Sequence, residues 1–136
     1  MDCIFCKIIK KEIPCKILVE TEKTLAFMDA FPLTKGHSLV IPKTHYEKIQ
    51  DISEEDNVDL FETVRKVISK VDQITNATLV AIHNGKESGQ EIPHVHVHLI
   101  PRSSQDSAGP VHSMFSNTQK PTEKETEDTF EKIKNL

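Results

Sequence analysis

A chain of 136 residues, 37% hydrophobic and 28% charged, has the length and composition of one domain that buries a core without staples. A formal net charge of −4 offers no basic field to a nucleic-acid backbone, and no apolar run approaches the length of a membrane span. Three cysteines, an odd number, argue against a disulfide framework and leave metal binding or packing open. No apolar signal-peptide core lies near the N-terminus, so the expectation is a cytoplasmic protein.

Residues 3–10 carry helical apolar spacing and predict a short helix or turn. Ile17–Glu20 and Thr24–Met28 are extended runs around Glu22-Lys23, the pattern of a hairpin. A loop, Phe31 to Gly36, leads into a strand over His37–Pro42 that its proline closes. Ser53 followed by Glu54, Glu55 and Asp56 is a helix start, with an N-cap hydroxyl and acidic first turn. Beyond it Leu60, Phe61, Val64, Val67, Ile68 and Val71 form the apolar stripe of a helix of about four to five turns. Thr78–His83 predicts another strand, with His83 read as structural, and residues 84–90 a polar turn-rich loop.

The residues 92–102 read Ile-Pro-His-Val-His-Val-His-Leu-Ile-Pro-Arg. Period-2 alternation sets His94, His96 and His98 on one face of a strand, about 7 Å apart, and Val95, Val97 and Leu99 on the other. Such a row suits a metal, because neutral imidazole is a common ligand, although tetrahedral zinc recruits ligands from a second segment. It equally suits nucleophilic catalysis, in which one imidazole attacks and its neighbours orient it and hold charge. A solvated polar strand face is the plain alternative. From Ser103 the chain turns polar, and residues 121–136 alternate Glu and Lys as a surface helix or partly ordered tail. The expected fold is α+β, an antiparallel sheet with the long helix across one face. Residues 1–102 form its core, and 103–136 an arm completing the same domain.

The histidine strand, Cys-Ile-Phe-Cys-Lys-Ile-Ile at 3–9, Ala-Phe-Met-Asp at 26–29, Gly-His-Ser-Leu-Val-Ile-Pro-Lys at 36–43 and Asn84 through Gly89-Gln90 together resemble the histidine triad (HIT) family. Their order and spacing are closest to its Hint-type and bacterial branch. The resemblance implies a five-stranded antiparallel sheet, joined to a second copy as a ten-stranded sheet in a homodimer. It also implies hydrolysis or transfer at the α-phosphate of a purine nucleotide adduct, a phosphoramidate or dinucleoside polyphosphate, releasing a nucleoside monophosphate. His96 matches the nucleophile that forms a nucleotidyl-histidine; His98 and His37 match its phosphate-contacting partners. Gln90 and Asn84 match polar groups near phosphate and ribose, with Gly89 in the same nucleotide-binding motif. Asp29 matches the carboxylate on the ribose hydroxyls, and Phe5, Ile8, Phe27 and Met28 the wall around the base.

By itself Cys3-x-x-Cys6 is half of a zinc-knuckle pattern. The resemblance adds His45 and His94, a closed Cys2His2 set for a structural zinc with no organic cofactor implied. Cys15 fits neither pattern and reads as a small apolar filler. Two departures stand out. Glu91 follows the glutamine where many relatives carry a hydroxyl residue, which brings leaving-group protonation into question. The residues beyond Arg102 exceed the short Hint-type ending, so that Pro110–Phe115 is either a cover for the site or a surface arm. The competing reading is a non-catalytic nucleotide sensor or scaffold. A metal-dependent enzyme at the histidine row is a third.

Overall fold

In the computed structural model, which describes residues 2–136, the chain forms two compact units, one ending at Asp106 and the other Ser107–Leu136. Among the described residues the larger holds two α-helices, α1 (Ile4–Ile9) and α2 (Glu54–Val71), and five strands. These are β1 (Ile17–Glu20), β2 (Thr24–Met28), β3 (Ser38–Pro42), β4 (Thr78–Ala81) and β5 (Val97–Pro101). The smaller holds α3 (Glu123–Lys134). All pairings are antiparallel, in the order β1-β2-β3-β5-β4.

The helix start at Ser53 forms as its chemistry dictates: the Ser53 hydroxyl accepts the Asp56 N–H at 3.2 Å. About two turns on, the stripe meets the sheet. Leu60, Val64, Val67 and Val71 pack on Ala26, Val40, Val95, Val97 and Leu99, each buried side chain contributing about 1.5–3 kcal/mol. Phe61, expected in that stripe, lies at its edge and is exposed. A polar clamp fixes the helix to the first hairpin, with Thr21 and Thr24 both donating to Asp59 Oδ2 at 2.6 Å.

On the opposite face, Leu25, Phe27, Leu39 and Ile41 pack against Cys3, Phe5 and Ile8 around α1. The adjacent strands β2 and β3 are thus covered on both sides, which is why they read as nearly unbroken apolar runs. Over β5 that second face carries imidazoles.

The histidine strand begins later than its alternation predicts. The faces are as expected, but the ladder starts at Val97. Two prolines explain the delay. The register sets Val95 opposite Pro42, which has no N–H, and Pro93 lacks one too. Instead His94 N–H closes a tight turn onto Ile92 O at 2.8 Å, and Val95 N–H donates to Tyr46 O at 2.7 Å. The strand expected over Thr78–His83 likewise ends at Ala81.

Within the second unit, Thr122 and Glu125 form a reciprocal capping box at the start of α3, so residues 123–134 are a helix and not a tail.

Candidate functional site

The sheet register builds the site. Leu39 pairs with His98 and Ala81 with His98, so His37, two residues before Leu39, shares its face beside the imidazoles of β5. Two positions past the last β4 pair, the same register sets His83 opposite His96. Ring centroids lie 5.0 Å apart for His96 and His98, 5.2 Å for His37 and His98, and 5.5 Å for His83 and His98.

Backbone groups decide which nitrogen of each ring carries its proton. Leu33 N–H donates to His37 Nδ1 at 3.0 Å, so His37 bears its hydrogen on Nε2. That Nε2–H donates to His98 Nδ1 at 3.0 Å, which leaves His98 with an Nε2–H as a further donor. His96 is set the other way. Its Nδ1–H donates to His94 O at 2.7 Å, so its Nε2 keeps a lone pair. Asp29 Oδ2 stands 3.5 Å from His37 Nε2. Burial pushes the His98 pKa down to about 4, helped by the neighbouring His96, His37 and His83. Burial also lowers His37 and His96, against the opposing pull of Asp29 on the first and of the His94 carbonyl on the second. Near neutral pH the rings of His37, His96 and His98 are therefore uncharged.

These rings line a cavity of about 410 Å3. Ile4, Phe5, Ile8, Phe27 and Leu39 form its apolar wall, and Phe31 and Leu33 its lip. Asp29, His37, His96 and His98 contribute the polar groups; His83, Gly89, Glu91 and Ile92 also line it. Of the residues singled out in the sequence, Phe5, Ile8, Phe27, Asp29, His37, Gly89, His96 and His98 thus come together. Met28, Asn84 and Gln90 do not line it. The Asn84 amide accepts from Ile49 N–H at 2.9 Å and donates to Gln50 Oε1 at 3.0 Å. The Gln90 amide accepts from Gly85 N–H at 2.8 Å and donates to Glu47 O and Ile92 O. Both brace the loop that ends the cavity. His83, read from the sequence as structural, lines the cavity; its signal was the β4–β5 register, a long-range fact.

A second cluster lies behind the first. Cys6 Sγ is 3.3 Å from His45 Nδ1 and 3.7 Å from His94 Nδ1; Cys3 Sγ is 3.5 Å from His94 Nδ1, and the two Nδ1 atoms are 3.2 Å apart. All four donor atoms fall within 4.8 Å of one another. A tetrahedron with zinc–ligand bonds of about 2.0–2.3 Å has edges of about 3.3–3.8 Å, so the set fits. His94 Nε2–H donates to Pro42 O at 2.8 Å, which leaves Nδ1 free to ligate. Burial, then the neighbouring Cys3, raises the Cys6 thiol, a proton that metal binding would release. Asp29, His37 and His98 also gather, but His37 and His98 spend donor atoms on one another.

An antiparallel sheet with a long helix on one face and ordered imidazoles on the other defines a histidine-site α+β protein. The HIT domain matches residues 10–105, and the chain belongs to the HIT family. It is 42% identical over 106 residues to the adenosine 5′-monophosphoramidase hnt1 of Schizosaccharomyces pombe, covering 78% of each chain. It is 40% identical over 114 residues to the adenylylsulfatase HINT3 of Arabidopsis thaliana, covering 77% of this chain and 54% of that one. Among solved structures, a HIT family member from Bacillus subtilis superposes with a TM-score of 0.83 at 30% identity, covering 99% of this chain and 96% of that one.

Proposed function

We propose that the protein is a nucleotidyl hydrolase acting at the α-phosphate of a purine nucleotide adduct through a covalent histidine intermediate. The observation that carries this reading is the opposed proton placement on neighbouring rings: His96 offers a lone pair on Nε2, and His98 offers an N–H. The His96 lone pair attacks phosphorus while His98 Nε2–H donates to a phosphate oxygen whose charge grows in the transition state. Water then displaces His96 and releases the monophosphate. Asp29 suits the two hydroxyls of a ribose, and the Phe5, Ile8 and Phe27 wall suits a base. The names of the S. pombe and A. thaliana relatives, a monophosphoramidase and an adenylylsulfatase, both describe hydrolysis of adenylyl adducts.

Cys3, Cys6, His45 and His94 would hold a zinc ion, and with four protein ligands it supplies structure without an open catalytic position. It would pin α1 and its N-cap residue Cys3 to the turn that precedes β5. We also propose a homodimer formed along β4 and α2, where Val80, Val58 and Phe61 are exposed. Among the described residues no helix is long and apolar enough to cross a membrane. The three cysteines are free, which suits a reducing compartment such as the cytoplasm.

Intact-protein mass spectrometry during turnover of adenosine phosphoramidate, and separately of diadenosine tetraphosphate, tests the reading. An adenylyl adduct in the wild type that His96→Ala lacks is the expected result. Tight AMP binding with neither adduct nor product from either compound would instead establish a nucleotide sensor.

A further inference from the structure

Five aromatic rings follow one another through the cavity. Phe27 and Phe5 have centroids 5.9 Å apart, Phe5 and His96 5.1 Å, His96 and His98 5.0 Å, and His98 and His83 5.5 Å. The row runs from an apolar end to a polar one. A substrate with its base on Phe5 and Phe27 and its phosphorus at His96 places the group beyond phosphorus, the part that must leave, toward His83.

His83 is also the imidazole of the cavity whose nitrogens are uncommitted. His37, His96 and His98 each spend ring nitrogens on the hydrogen bonds described above, whereas among the described residues neither nitrogen of His83 has a protein partner. Its placement is built in. Gly89 has φ +106°, and a Cβ there would stand 3.2 Å from His83 Cδ2, so the bare glycine leaves room for the ring edge. The titratable groups around this end of the cavity are His96 and His98 from the sheet, His37 and Asp29 beyond them, and Glu91 on the rim.

We infer that His83 is the proton donor to the departing group, a further catalytic residue of the proposed hydrolase on which this inference rests. In the first step the His96 Nε2 lone pair forms the N–P bond. The bond from phosphorus to the departing atom breaks, its electron pair stays on that atom, and the protonated His83 ring supplies the proton. In the second step water attacks phosphorus, His83 takes up the water proton, and the N–P electron pair returns to His96. The sum is adduct plus water giving nucleoside monophosphate and the protonated leaving group, with both histidines restored. An exposed imidazole with both ring nitrogens uncommitted suits the role, since it can reach the departing atom in one step and the attacking water in the next.

The test compares AMP joined to a simple alkylamine, which needs a proton to leave, with AMP joined to p-nitrophenol, which does not. For His83→Ala and His83→Asn, kcat on the alkylamine adduct should fall about 100-fold or more, and by a much smaller factor on the nitrophenyl ester. Equal losses on both substrates, or no loss on either, overturn the assignment. So does full recovery by His83→Asn, which would make His83 a hydrogen-bonding group only. A wild-type protein inert toward both compounds overturns the hydrolase reading itself, a result distinct from active wild type with insensitive variants.

Discussion

His96 and His98 stand two residues apart on one face yet present opposite ring chemistry, a lone pair from one and a hydrogen from the other. As the proposed nucleophile, His96 is the residue whose loss should be most severe. His96→Ala is expected to lower kcat/KM for adenosine phosphoramidate by about 10³-fold or more, with AMP binding by calorimetry retained. His98 makes a second prediction. Its folded pKa, pushed to about 4 by burial, lies below the ordinary imidazole value, so only the unfolded chain takes the proton as pH first falls. The stability linked to this ring is therefore complete above about pH 6.5 and is lost as pH falls toward 4. Urea unfolding at pH 7.5 and at pH 4.5 should show a larger loss for wild type than for His98→Asn. Equal losses in the two proteins would contradict the neutral-imidazole description.

At the scale of elements, the clamp between α2 and the first hairpin rests on one carboxylate. Burial works to raise the Asp59 pKa, and the hydrogen bonds from Thr21 and Thr24, together with the charges of Lys23 and Lys66, outweigh it and hold it low. Asp59→Ala leaves the fully buried Thr24 hydroxyl without its acceptor and should cost about 1–3 kcal/mol in urea unfolding. Thr122→Ala, which removes the capping box of α3, should cost about 1 kcal/mol of that helix, read as lost helical circular dichroism. The elements were legible to very different degrees. The first hairpin, the Ser53 start and the two faces of the histidine strand follow from period and capping, both local properties. The late start of β5 was not legible, because it depends on Pro42 facing Val95 across the sheet. Nor was the role of the Asn84 and Gln90 amides: their partners at Ile49, Gln50 and Glu47 lie 34 to 43 residues away in sequence. His83 was hidden for the same reason, since only strand pairing brings it to His96.

For the whole molecule, the Cys3, Cys6, His45 and His94 cluster ties the N-terminal segment, the chain after β3 and the approach to β5 to one point. With zinc there, chelation should lower Tm markedly while protein that remains folded keeps most of its rate. Elemental analysis should find one zinc per chain, lost in a Cys3→Ser, Cys6→Ser double variant. The main chain does the rest of the positioning. His94 is oriented by the carbonyl of Pro42, His96 by the carbonyl of His94 and His37 by the amide of Leu33. No substitution at Pro42 deletes its carbonyl, and none but proline at Leu33 removes its amide hydrogen. Sequence drift around the imidazoles can therefore be wide without disturbing their protonation, whereas a one-residue insertion between Pro42 and His45, or between Ile92 and His96, should be far more damaging than a single replacement of Lys43, Thr44 or Pro93.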